Sequence, residues 1–157
     1  MPLTANNSPQ PKLMAIASGG GHWVQLLRLT PAFVNCDATF VSVDELYRSQ
    51  VPQQKFYVVN DATRWNKLGL IRMSIKLAWL ILMSRPDIII STGAAPGYVG
   101  LRLGRLLGAR TIWIDSIANV EQLSLSGQKI GRYADLWLTQ WPHLAQAGGP
   151  HYSGAVI

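Results

Sequence analysis

Six short apolar runs alternate with helix-patterned segments along this chain, and that alternation constrains its fold more than any other feature. The runs are 13–17, 38–43, 56–59, 88–90, 111–114 and 136–139. Between them, helical spacing covers 22–29 (ending before Pro31), 65–83, and 98–107 with Gly108 as a C-cap. Ile88-Ile89-Ile90, introduced by Pro86-Asp87, has no polar alternation, which is the pattern of a strand buried on both faces. Strands that alternate with helices imply a parallel sheet with helices on both sides. The order predicts an α/β fold, a doubly wound parallel sheet forming a single Rossmann-like domain. At 157 residues the chain is one domain long, enough to bury roughly 70% of its unfolded surface. The domain is expected over 13–157. Residues 1–12, polar and carrying Pro2, Pro9 and Pro11, read as a disordered lead-in and not as a signal peptide.

Composition narrows the partners. Hydrophobic residues make up 48%, which excludes intrinsic disorder. Charged residues make up 14%, against about 25% in an ordinary soluble domain. A surface so poor in charge is expected to be covered by a membrane or another subunit. The single cysteine, Cys36, rules out an intramolecular disulfide or a cysteine metal cluster and suits a reducing compartment. The net charge of +6 is unevenly spread: 48–110 holds ten Lys/Arg against Asp61 and Asp87, so this stretch is +8 and the remainder −2. Such a patch calls for an anionic partner, a phosphate or a lipid headgroup. The visible cation clusters of nucleic-acid readers are missing, and no nucleic acid is expected.

In a doubly wound sheet, ligands sit beyond the carboxyl ends of the strands at the point where strand order reverses. Three loops fall there: 18–22, 91–97 and 115–119. Ser18-Gly19-Gly20-Gly21-His22 follows a strand and opens a helix. Its glycines let backbone approach a ligand, and N–H groups at a helix start attract anions; the competing reading is a tight strand-to-helix turn. Gly19 and Gly21 also match the first two glycines of a dinucleotide fingerprint, with Asp44 after strand two. Val24 occupies the third glycine position, however, and His22 crowds the phosphate turn. A helix N-terminus lowers the pKa of His22 and favours a neutral imidazole that can act as a base, although a lone histidine can equally be structural. Ser91-Thr92-Gly93-Ala94-Ala95-Pro96-Gly97 is a second open loop with a proline suited to a first helical turn. Asp115 ends strand five, either as a carboxylate for a hydroxyl proton or sugar hydroxyl, or as a helix cap.

The segment 65–83 approaches the ~20 residues of a bilayer span. Lys67, Arg72 and Lys76 within it each cost about 2.5–3.5 kcal/mol near a bilayer centre, so a span is not expected. At 100° per residue, Trp65, Gly69, Arg72, Lys76 and Met83 share one side of an otherwise apolar helix. That pattern suits a membrane interface, with Trp65, Arg72, Lys76 and Trp79 as contacts; a crossover helix on the sheet is the alternative, and both can hold.

Taken together, Ser18-Gly19-Gly20-Gly21-His22, Arg85-Pro86-Asp87 with Ser91-Thr92-Gly93, Asp115 to Val120, Leu123-Ser124-Leu125-Ser126-Gly127, Ala134-Asp135 and Gln140-Trp141-Pro142 resemble the membrane subunit of two-part glycosyltransferases. In eukaryotes that subunit serves the dolichol-diphosphate GlcNAc transferase; in bacteria it is the PssD-type subunit of exopolysaccharide assembly. A more distant likeness to MurG lies in the same three loops. The resemblance implies the acceptor-side half of a GT-B enzyme divided between two chains, with residues 152–157 where a second domain would begin. It departs in two places: the eukaryotic subunit begins with a transmembrane helix, which the polar residues 1–12 are not expected to form, and relatives often carry Glu where this chain has Asp115.

The resulting expectation is inverting transfer of a sugar from a UDP-sugar, bound at the subunit interface, to a polyprenyl-diphosphate-linked acceptor. A separate catalytic, donor-binding glycosyltransferase subunit would be the partner. His22 and Asp115 are the catalytic candidates. Ser18, Gly19, Gly20, Gly21, Thr92, Gly93, Ser116 and Asn119 are the substrate-binding candidates. No metal and no cofactor are expected, and the site of action is the cytoplasmic face of the inner membrane, held peripherally. The competing functions are a non-catalytic membrane anchor or activator of a catalytic partner, and a nicotinamide-dependent oxidoreductase.

Overall fold

Seven parallel strands build one sheet in the order β3-β2-β1-β4-β5-β6-β7. They are β1 (Lys12–Ile16), β2 (Asp37–Ser42), β3 (Lys55–Val58), β4 (Ile88–Ser91), β5 (Arg110–Ile114), β6 (Leu136–Thr139) and β7 (His151–Tyr152). Four α-helices join them: α1 (Gly21–Arg28), α2 (Lys67–Ser84), α3 (Ala94–Leu106) and α4 (Leu125–Ile130). These come from a computed structural model that describes residues 9–157. Residues 1–8 of the expected lead-in lie outside the described residues, and Lys12, assigned to it, instead starts β1.

Side chains of successive strand residues leave the sheet on opposite faces, and both faces are covered. On β1, Met14 and Ile16 point into a core with Ile89, Trp113, Leu77 and Leu101, beneath α2, α3 and α4. Leu13 and Ala15 point into the other core, with Trp23, Leu26, Phe40 and Ile114 beneath α1. α3 lies close on the sheet because Gly100 and Gly104 face Ile16 and Ile89, leaving no room for a Cβ at either position.

The strand order reverses between β2-β1 and β1-β4, where Ile16 pairs with both Val41 and Ser91. This is the predicted switch point. Six strands and three helices lie where the sequence pattern put them; the differences have local causes. α3 starts at Ala94 and not at 98, because Pro96 lies in the first turn, where its missing N–H costs nothing. α4 was not predicted: it has only six residues and depends on Ser124, whose Oγ accepts from Gly127 N at 2.8 Å. β7, two residues long, was also missed.

α2 also differs from expectation. It begins at Lys67 behind an Asn66 cap, so Trp65 precedes it. Gly69 lines one cleft with Arg72 and Lys76, the side expected for it, but is itself buried with Met73, Leu77, Leu80 and Ile81, at the edge of the face that packs on the sheet. The opposite face carries Leu68, Ile71, Ile75, Trp79 and Leu82, each more than half exposed, next to the exposed Arg72 and Lys76. The helix therefore has two apolar faces, one on the sheet and one uncovered.

Candidate functional site

The three loops meet as the topology requires. Gly20 takes φ 63°, ψ −135° at the N-cap of α1, a conformation open to glycine and strained for other residues. Its N–H is not free for a ligand: it donates to the Tyr47 hydroxyl at 2.9 Å. Tyr47 stacks on the buried Trp23 (centroids 5.0 Å apart), and a Cβ on Gly19 would approach the Tyr47 oxygen to 2.9 Å. The Ser18 carbonyl accepts from Ser42 Oγ at 3.4 Å.

The second loop locks onto the first. Thr92 Oγ1 donates to the His22 carbonyl at 2.6 Å, and the His22 ring lies over Gly93. Gly93 has φ 138° and Ala94, a residue with a Cβ, has φ 67°. Two consecutive residues in the sparsely populated region mark a strained helix start, the kind of feature that concentrates at functional sites. His22 is half-buried. Burial lowers its pKa from the ordinary 6.5, and the Asp115 carboxylate works in the opposite direction. The neutral imidazole is thus favoured, the direction expected from the sequence, with burial as the leading cause.

Asp115 is fully buried and fully occupied. One carboxylate oxygen accepts from Trp113 Nε1 at 3.1 Å and Ser124 Oγ at 2.6 Å. The other accepts from Asn119 Nδ2 at 3.0 Å and Ser124 N at 2.9 Å. Four donors on one carboxylate make it the organiser of the 115–124 loop; Asp115 caps no helix itself, but holds Ser124, the residue that caps α4. Gly127 packs so tightly on this carboxylate that no Cβ fits.

Two buried glutamines join the first and third loops, and neither was among the candidates. Gln25 Nε2 donates to Gly21 O at 3.2 Å and Ser116 Oγ at 3.1 Å. Gln25 Oε1 accepts from Ile117 N at 3.1 Å and Gln140 Nε2 at 2.6 Å. Gln140 Nε2 also donates to the Asp115 carbonyl at 2.9 Å, and its oxygen takes Val156 N at 2.7 Å. A glutamine four residues after Gly21, amid the apolar residues of a short helix, was the available signal for Gln25; Gln140 had been read only as part of Gln-Trp-Pro.

Of the predicted residues, His22, Ser18 to Gly21, Thr92, Gly93, Asp115, Ser116 and Asn119 thus gather at the switch point. Trp65, Arg72, Lys76 and Trp79 lie apart from them, on and before α2. A cleft of about 910 Å³ lies at the opposite end of the sheet beside Arg85, Asp87 and Arg110, far from the strand carboxyl ends where this fold binds ligands. Asp44 caps the turn after β2 by accepting from Leu46 N at 2.9 Å, the position where a dinucleotide reading needs it for a ribose. Among the described residues, no group of three His, Cys, Asp or Glu side chains is arranged to hold a metal ion, and no helix is long and apolar enough to cross a membrane.

Residues 59–156, containing the second and third loops, match the family described as "Oligosaccharide biosynthesis protein Alg14 like". This chain belongs to that family. Among relatives of the Alg14-like chain, the UDP-N-acetylglucosamine transferase subunit ALG14 of Yarrowia lipolytica is 29% identical over 164 residues, covering 87% of this chain and 76% of that protein. The mouse protein of the same name is 25% identical, covering 86% and 77%. In fold, the Alg14-like chain is similar to Acinetobacter baumannii MurG (TM-score 0.73, 14% identity, 92% of this chain). It is also similar to the UDP-GlcNAc 2-epimerase of Methanocaldococcus jannaschii (TM-score 0.64, 12% identity, 82% of this chain). The chain spans 45% of MurG and 39% of the epimerase. Its single domain has the Rossmann-like architecture of the N-terminal half of GT-B glycosyltransferases.

Proposed function

We propose that this chain is the acceptor-side subunit of a two-chain inverting glycosyltransferase. It moves a sugar, N-acetylglucosamine by analogy with its relatives, from a UDP-sugar to a polyprenyl-diphosphate-linked acceptor. A separate donor-binding subunit supplies the other wall of the crevice. The observation that carries this reading is the neutral His22 imidazole held between the glycine loop and Gly93 at the switch point.

His22 is the general base. The acceptor hydroxyl oxygen forms a bond to the anomeric carbon as the bond from that carbon to UDP breaks, and the hydroxyl proton passes to the imidazole. Asp115, its lone pairs taken by four donors, acts as a positioning residue, and its charge favours the imidazolium that forms. Thr92, Gly93, Ser116 and Asn119 shape the crevice around the acceptor, and the Ser18 to Gly21 backbone faces its diphosphate or that of the donor.

Membrane contact is peripheral, through the uncovered face of α2 with Trp79, Arg72 and Lys76, and through Trp65 ahead of it. Exposed Leu68, Ile71, Ile75 and Leu82 support this, since an apolar face edged by cations suits an anionic lipid surface. In this reading, with a UDP-sugar as donor, the protein works peripherally at the cytoplasmic face of the inner membrane. The occupied carboxylate of Asp115 favours a second reading, in which this chain anchors and activates a partner that holds all the chemistry. Turnover of the His22→Ala complex separates the two: a loss of about 10² or more supports the base, and near-normal turnover supports the anchor.

A further inference from the structure

A second cleft, of about 360 Å³, opens between α2, α3 and α4. That volume lies within the usual range for small-molecule sites, about 300–1,000 Å³. Leu70, Tyr98, Val99 and Leu125 form apolar walls, and two cations also line it, Arg64 from the turn before α2 and Lys129 from α4. No carboxylate lines it, and neither cation is in an ion pair among the described residues. An apolar trough with two cations and no acid fits an amphiphile whose apolar tail begins at an anionic head.

Its position is equally specific. Ala95, in the cleft wall, lies two residues beyond the Gly93 that the His22 ring covers. The other wall is α2, whose outer face is the uncovered apolar surface. The cleft therefore runs between the switch-point loops and the helix assigned to the membrane.

We propose that this cleft binds the lipid stem of the acceptor: Arg64 and Lys129 pair with its diphosphate, leaving the Ser18 to Gly21 backbone to the diphosphate of the donor, and Leu70, Tyr98, Val99 and Leu125 hold the first isoprene units. The assignment rests on the acceptor class proposed above. It gives the lipid a path from α2 to His22, with the sugar projecting into the crevice.

Titration of this 157-residue chain with farnesyl diphosphate and with inorganic diphosphate tests this. Farnesyl diphosphate should bind about tenfold or more tightly than inorganic diphosphate. Arg64→Glu and Lys129→Glu should each weaken both ligands about tenfold or more. Leu125→Asn should weaken only farnesyl diphosphate, and Arg110→Glu, at the far end of the sheet, should change neither. These are exposed positions, and an unchanged thermal midpoint verifies folding. Equal farnesyl diphosphate binding by wild type and cleft variants would place the stem elsewhere and overturn the cleft while the acceptor class stands. Loss of vesicle binding in the variants, with farnesyl diphosphate binding intact, would overturn it in favour of bulk phospholipid. No farnesyl diphosphate binding overturns the cleft; if the complex with its donor-binding partner also fails to glycosylate a polyprenyl-diphosphate acceptor, the acceptor class falls with it.

Discussion

The imidazole of His22 covers the α-carbon of Gly93 so closely that a Cβ there would sit 3.0 Å from Nε2. Gly93 also has φ 138°, which a side chain disfavours. Gly93→Ala should therefore displace the imidazole and strain the start of α3. A stability loss of about 1–2 kcal/mol is expected, with turnover down tenfold or more. Thermal unfolding and an assay of the assembled complex measure both; an unchanged variant would mean that the ring is not held in place by this contact.

Burial lowers the His22 pKa below 6.5, and Asp115 raises it in opposition. A neutral base requires kcat/KM to rise with pH through the folded value, so the acid limb should have its midpoint below 6.5. Asp115→Asn removes the opposing charge, and the limb should move to lower pH. Stability follows the same sign: between the lowered folded value and 6.5 the unfolded chain binds more protons, so His22 makes stability rise with pH across that window and adds no slope above it. His22→Ala should remove that slope. Profiles of kcat/KM and of denaturation midpoint against pH report the two effects.

Gln25→Leu should destabilise the domain by about 1–3 kcal/mol, because Ile117 N and Gln140 Nε2 lose a buried acceptor. In a domain of this size that lowers Tm by roughly 2–4 °C per kcal/mol. Wild-type stability in the variant would show that the network contributes nothing to the fold.

The uncovered face of α2 should bind anionic vesicles more tightly than neutral ones, by roughly 1 kcal/mol for each cation that reaches the surface. High salt should weaken the binding without abolishing it, since the apolar residues contribute separately. Flotation of wild type and the Arg72→Glu/Lys76→Glu double variant is the test. Equal flotation of both proteins on both vesicle types would mean that this face does not meet the membrane.

The centre of the sheet was legible because β1 and β4 are buried on both faces and read as apolar runs; Ile88-Ile89-Ile90 leaves no other choice. The alternation of strands and helices was enough to bring the candidates together, since His22, Gly93 and Asp115 lie just beyond the carboxyl ends of the neighbouring strands β1, β4 and β5. What escaped were features that depend on contacts distant in sequence. Gln25 and Gln140 are 115 positions apart and meet only once the sheet is formed. Tyr47 reaches Gly20 across 27 positions. Which side of α2 meets the sheet was not legible, because both faces of the helix are apolar and periodicity does not distinguish the sheet side from the open side.

The most direct test is transfer of labelled sugar from UDP-N-acetylglucosamine to a polyprenyl-diphosphate-linked acceptor, by wild type and His22→Ala, each with and without the donor-binding partner. Wild type with its partner should turn over, and wild type alone should not, because one domain forms only one wall of the crevice. The His22→Ala complex should assemble normally and lose a factor of about 10² or more in turnover. Robust transfer by the isolated chain, or near-normal turnover by the assembled His22→Ala complex, would contradict the account.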